Sequence, residues 1–276
     1  MSSVYHEVEK ENFLRWSPGK TGMYEVYYLT FNHLASGAGY WIRYTMNAPD
    51  SGKGEPYAQM WFSYFNSNEP ARNFALRKTF PVSELKGEAN PFKVTIGDNE
   101  LTNGTAAGAL SGSGRSVSWN LAFEPSSSVY YHLPRLFYKE GLAETVALSP
   151  NLDVKFRGEI VIDGETYAFN GDPGCQTHLW GKKHAPRWAW AHCSHFDQAP
   201  GVVFEAISVH AEKLGIKLPP LTFMTLRRPG HARGIRLLHH ADFRHLGLVF
   251  RGLRHGTAGE RPVLRPHRRQ GLHADR

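Results

Sequence analysis

The stretch from Gly171 to Asp197 concentrates the side chains that can do chemistry. From His178 onward it holds four histidines (His178, His184, His192, His195), three tryptophans (Trp180, Trp188, Trp190) and one acid, Asp197. With a side-chain period of two, a strand here puts Trp188, Trp190, His192 and Ser194 on one face. Ala189, Ala191, Cys193 and His195 fall on the other. The first face is a wide apolar wall with a single titratable group, which suits a flat unsaturated ligand. The same tryptophans could equally fill a barrel core. Zinc or iron is a competing chemistry, but His192 and His195 are three apart and point to opposite faces of a strand, unlike two ligands on one helical turn. A nucleophile built on Cys193 meets the same objection, because its neighbour His192 faces away. No phosphate-binding glycine loop or dinucleotide fingerprint occurs. Neither metal nor cofactor is expected.

The elements that must position these groups are strands. In 276 residues, 41% are hydrophobic, 13% aromatic and 21% charged, with 27 Gly and 17 Pro. That is a globular chain weighted towards strands and turns. Met23–Phe31, Gly39–Met46 and Tyr57–Asn66 are aromatic on both faces, as in a sheet that lines a cavity on one side and packs on the other. A meander of shorter pieces follows through Phe123, and residues 126–150 connect to a second run of strands. Asp163-Gly164 between Val154–Ile162 and Glu165–Phe169 is a type I′ hairpin signal. Strands at Trp188–Phe196, Val202–Val209 and Leu221–Leu226 complete it. The organisation expected is an extension at 1–21, a first β domain with connector at 22–150, a second, shortened β domain at 151–226, and a tail at 227–276. No run of about 18 apolar residues exists to span a membrane. Met1–Trp16 carries Glu7, Glu9, Lys10 and Glu11 without an apolar core, so no secretory leader is expected. Two cysteines form no framework, and a reduced, cytoplasmic setting is the default.

The net charge of +7 invites a nucleic-acid reading until it is divided. Residues 1–226 hold 20 Lys and Arg against 22 acids, whereas residues 227–276 hold 12 Arg, no Lys and three acids. The tail also carries seven of the 15 histidines and no sustained period. It reads as a basic arm for nucleic acid or an anionic membrane, as a solvated extension, or as sequence translated out of frame near Arg227. The Arg-rich, Lys-free composition favours the last, so nucleic acid is not the expected partner.

Three short boxes are recognisable together: Gly158-x-Ile160-x-Ile162-Asp163-Gly164, then His178-x-Trp180-Gly181, then Trp188-x-Trp190-x-His192. With Glu25-Val26-Tyr27-Tyr28 in the place of a first-strand E-x-W-Y element, they resemble the superfamily of paired lipocalin-like domains. That superfamily includes carotenoid 1,2-hydratases (hydroxyneurosporene synthases), tocopherol cyclases and AttH-like proteins. The resemblance runs over residues 22–226. It implies an all-β fold of two successive calycin-type antiparallel barrels or sandwiches, the second cut short, followed by an irregular basic tail. It also implies an isoprenoid, carotenoid or fatty-chain ligand, and in the enzymes protonation of a double bond to a carbocation captured by water or a phenol. Such chemistry needs an acid held protonated by burial and aromatic faces for the cation. In the hydratases the acid lies on the strand after the H-x-W box, which here makes Glu205 the leading candidate and Asp197 the alternative. His178 would orient the acid or a water. Trp180, Trp188, Trp190 and His192 would line the ligand site with Tyr28 and Glu25, although Glu25 also reads as a structural hydrogen-bonding group. The chain departs from the pattern with Glu205 in place of Asp and Tyr27 in place of Trp. The expected partner is a hydrophobic small molecule, taken up with peripheral membrane association, by a hydratase, a cyclase or a non-catalytic carrier.

Overall fold

The computed structural model describes residues 8–139, 143–182, 185–210 and 221–228, together with the backbone of short strands at 212–213, 216–217 and 235–239. Most of the basic tail, on which the readings as a basic arm, a solvated extension or out-of-frame sequence fall, lies outside the described residues, as does His184.

The fold is all-β. Its strands are β1 (Met23–His33), β2 (Ala38–Ala48), β3 (Tyr57–Phe65), β4 (Phe74–Pro81), β5 (Leu85–Ala89), β6 (Phe92–Ile96), β7 (Asn99–Thr102), β8 (Thr105–Gly112), β9 (Arg115–Ala122), β10 (Tyr130–Tyr131), β11 (Thr145–Ile162), β12 (Glu165–Gly181), β13 (Arg187–Cys193), β14 (Val203–His210), β15 (Glu212–Lys213), β16 (Ile216–Lys217), β17 (Leu221–Arg227) and β18 (Ile235–His239). A large antiparallel sheet, coiled into a nearly closed barrel, runs β4-β3-β2-β1-β12-β11-β9-β8-β7-β6-β5, with β10 pairing on β11. A small sheet runs β13-β14-β17-β18, and β15 pairs with β16. The long β11–β12 hairpin is hydrogen-bonded between β9 and β1, so residues 145–181 belong to the sheet that begins with β1.

Alternation explains most of these strands. β9 buries Val117, Trp119 and Leu121 and exposes the residues between them, and β6 buries Phe92, Val94 and Ile96 with half-buried residues between. The inward residues make one aromatic core, in which Tyr27, Phe31, Tyr40, Phe62, Trp119 and Phe156 meet. β1 is different, because only Asn32 of its eleven residues is exposed. Its odd positions face the core and its even positions face the small sheet. The β11–β12 turn is made by Asp163 and Gly164, both at positive φ (50° and 87°), as the type I′ signal requires. Gly174 on β12 has another reason: a Cβ there would stand 2.4 Å from the Thr30 carbonyl oxygen. Residues 8–22 pack into the same core through Trp16, Phe13 and Leu14. Among the described residues no helix is long and apolar enough to cross a membrane.

Candidate functional site

The outer face of β1, β2 and β12 is roofed by the small sheet, and between them lies a cavity of about 1090 Å³. Cross-strand register fixes the roof in three rows. Trp188, Val209 and Leu221 form the outermost row and Trp190, Ile207 and Phe223 the next; the last is polar, with His192, Glu205 and Thr225. The alternation expected for Trp188, Trp190 and His192 therefore delivers all three to the cavity wall, facing Tyr28 and Trp41. Tyr28 meets the Trp190 ring edge-on at 5.7 Å and that of Trp41 at 6.0 Å. Such a box offers π faces from both sides of a bound chain.

The polar row is a buried acid–base cluster. Glu205 is 2% exposed, and both its oxygens are engaged. Oε1 accepts the Trp190 indole N–H at 2.5 Å and lies 3.4 Å from His132 Nδ1, while Oε2 is 2.8 Å from His192 Nδ1. His132 is itself tied through Nε2 to Ser149 Oγ at 3.1 Å, and Ser149 to Thr177 at 2.9 Å. Tyr130 closes the row by a 2.7 Å bond to Thr225. Burial works against a charge on His192, but the Cys175 sulfur beside it and the Glu205 carboxylate outweigh burial and hold the imidazole well above the ordinary histidine range. His192 Nε2 is buried and makes no hydrogen bond of good geometry, but the imidazole has the Cys175 side chain as a second partner beside Glu205. Burial, reinforced by Cys175 and Glu205, pushes the Tyr28 phenol well above its usual value and keeps it neutral.

A second Glu–His pair stands on β1 and β12, on the face turned away from the cavity. Glu25 is 1% exposed and accepts the backbone N–H of Arg15 at 2.8 and 3.0 Å, that of Trp16 at 2.8 Å and the Tyr27 hydroxyl at 3.0 Å. His178 Nε2 lies 2.8 Å from it. The other ring nitrogen, Nδ1, donates to the Glu11 carbonyl at 2.6 Å. Tyr27 stacks on the His178 ring at 4.1 Å, and Trp180 packs beside it under the Arg15 guanidinium. This pair fastens residues 11–16 to the barrel. Glu25, His178 and Trp180 thus come together, away from the cavity that takes Tyr28, Trp188, Trp190 and His192. Asp197 is apart from both, in an exposed turn with its side chain 92% accessible and His195 at 3.6 Å.

Two cavity residues carried weaker signals. His132 sits in the irregular connector, where no period points to a face. Arg43 is the one charge inside the aromatic strand β2, and that was legible. Among the described residues no three His, Cys, Asp or Glu side chains converge as metal ligands.

No family model matches the sequence. Two curated proteins of Mycobacterium tuberculosis, "Uncharacterized protein MT0513" (strain CDC 1551 / Oshkosh) and "Uncharacterized protein Rv0493c" (strain ATCC 25618 / H37Rv), are each 26% identical over 232 residues. The match covers 83% of this chain, which spans 66% of the length of those relatives. Among solved structures, NE1406 from Nitrosomonas europaea, assigned as an AttH, superposes with a TM-score of 0.54 at 15% identity, covering 80% of this chain and 74% of that one. The likeness is one of fold, and at that level it agrees with the AttH-type resemblance in the sequence. Kievitone hydratase from Nectria haematococca gives a TM-score of 0.49 at 12% identity, over 78% of this chain and 63% of its own.

Proposed function

We propose that the cavity binds an unsaturated apolar molecule, of isoprenoid or fatty-chain type, and that His192 delivers a proton to its double bond. The observation that carries this reading is the polar row, where a buried imidazole paired with the Glu205 carboxylate at 2.8 Å stands at the wall of an aromatic cavity. Glu205, the acid expected from the sequence, has both oxygens engaged as acceptors behind that wall, which suits an anchoring counter-charge better than a proton donor. In the hydration, Nε2–H gives its proton to one alkene carbon, and the π pair forms the new C–H bond. The cation on the other carbon rests against the faces of Trp190 and Tyr28. Water then bonds to it through oxygen and returns one proton to His192, so one water is added overall.

A carrier on the same scaffold is the second reading, favoured by the same pair. An imidazole held well above its usual range yields its proton reluctantly. Five exposed apolar residues ring the mouth of the cavity: Leu34, Phe65, Phe137, Trp188 and Leu221. They support loading by peripheral contact with a bilayer, and the free thiols of Cys175 and Cys193 fit a reducing, cytoplasmic setting.

The test is organic extraction of the purified protein, identification of the bound molecule by mass spectrometry, and incubation of that molecule with fresh protein in oxygen-18 water. Gain of one labelled water with the native chain, abolished in His192→Gln with binding retained, supports the hydratase. Binding without label in the native chain leaves the carrier. A protein that is empty and takes up no apolar probe refutes both.

A further inference from the structure

Arg43 projects from β2 into the cavity wall between two indole rings, 5.9 Å from that of Trp41 and 5.7 Å from that of Trp61. Its Nε is buried without a hydrogen-bond partner, and so are the indole N–H of Trp41 and of Trp61 and the hydroxyl of Thr45, all on this face. Arg43 makes no ion pair among the described residues. Burial pulls the guanidinium below its usual value, and the groups that act back on its charge are the phenols of Tyr24 and Tyr28. Arg77, on the Trp61 ring at 5.0 Å, adds a second cation rather than a counter-ion.

A half-buried guanidinium without a carboxylate, its Nε buried and set among orphan donors, is costly in an empty protein and needs an explanation. The stacked indoles hold its planar fork in place, and that fork matches a carboxylate in two parallel hydrogen bonds. We propose that Arg43 is the head-group site of the cavity and takes the carboxylate of an amphipathic acid whose apolar body lies along Tyr28, Trp41 and Trp190. One half-buried cation balances one carboxylate, whereas a phosphate monoester would bring nearly two charges to the same place. The proposal rests on the reading of the cavity as an apolar-ligand site and narrows its ligand to a fatty or terpenoid acid.

The experiment compares dodecanoic acid with dodecan-1-ol, equal in chain and different in head group, by quenching of tryptophan fluorescence at pH 7. The native protein is expected to bind the acid roughly 10- to 100-fold more tightly, the usual range for a charge-assisted pair. Arg43→Met, which keeps most of the apolar stem, removes that preference, so that acid and alcohol bind with similar affinity. Arg43→Lys keeps the charge without the fork and falls between. Circular dichroism checks that the variants fold, and the native comparison needs no variant. Equal affinity for acid and alcohol in the native chain, or an acid preference that survives Arg43→Met, overturns the role of Arg43 while the cavity reading stands. A native protein that binds neither overturns the cavity reading and this inference together.

Discussion

Glu25→Ala tests whether the inner Glu–His pair is a fastening. Removing the carboxylate leaves the N–H groups of Arg15 and Trp16, the Tyr27 hydroxyl and His178 Nε2 without their acceptor, all within 3.0 Å of it in the native protein. At about 1–3 kcal/mol per buried unsatisfied group the four would sum to roughly 4–12 kcal/mol. That sum overshoots, because residues 11–16 can lift away and let water reach the orphaned groups. Loss of one member of a buried pair, about 3–5 kcal/mol, is the better figure. For a chain of this size it lowers the melting temperature by about 6–20 °C. Glu25→Gln keeps an acceptor for the backbone N–H groups and should cost about 1–2 kcal/mol. Amide hydrogen exchange locates the damage, since the amides of Arg15 and Trp16 lose protection before those of β6 or β9. A Glu25→Ala protein that melts within 3 °C of the native one with those amides still protected refutes the fastening. One that keeps its stability but loses ligand binding returns Glu25 to the cavity.

The outer pair predicts a pH dependence. His192 titrates near pH 6.5 when unfolded and higher when folded, so between the two values the folded state binds the extra proton. Its contribution to stability is complete below about pH 6.5 and fades as pH rises through the folded value; Glu205→Gln should flatten that fall in a melting series from pH 6 to pH 9. Arg43→Met should raise the melting temperature of the ligand-free protein, because it removes an uncompensated, partly buried charge; an unchanged or lower value argues for a counter-ion at Arg43. Trp188→Ser with Phe65→Ser should weaken co-sedimentation with phosphatidylcholine vesicles severalfold at unchanged stability, and undiminished binding would remove the rim from the membrane reading.

Much of the architecture is legible in the chain because strand period and turn chemistry are local. The Asp163-Gly164 turn, the face shared by Trp188, Trp190 and His192, and the strand carrying Glu205 all follow from spacing alone. What spacing leaves open is which face is which. In β1 both faces are aromatic, so no polar side marks the exterior, and Glu25 reads as well towards the ligand as towards the core. His178 and Trp180 share a face by their spacing of two, but only the pairing of β12 with β1 sets it beside Glu25, away from the tryptophans of β13. That pairing joins residues some 150 apart, beyond the reach of any local pattern. His132 reaches Glu205 from an irregular connector, which has no period at all.

β1 has a further consequence, for how such a protein can diverge. Ten of its eleven residues are at least partly buried, the inward ones in the barrel core and the outward ones against the cavity. A substitution that reshapes the pocket from this side is tested at once against the packing around Tyr28 and Trp41, and a change on the core side against Tyr27 and Glu25. The roof carries no such double constraint at its outer row, where Trp188 is 55% exposed and β13 is nowhere fully buried. New ligand preferences therefore have their easiest route through the small sheet and the rim, while β1 changes slowly beneath them.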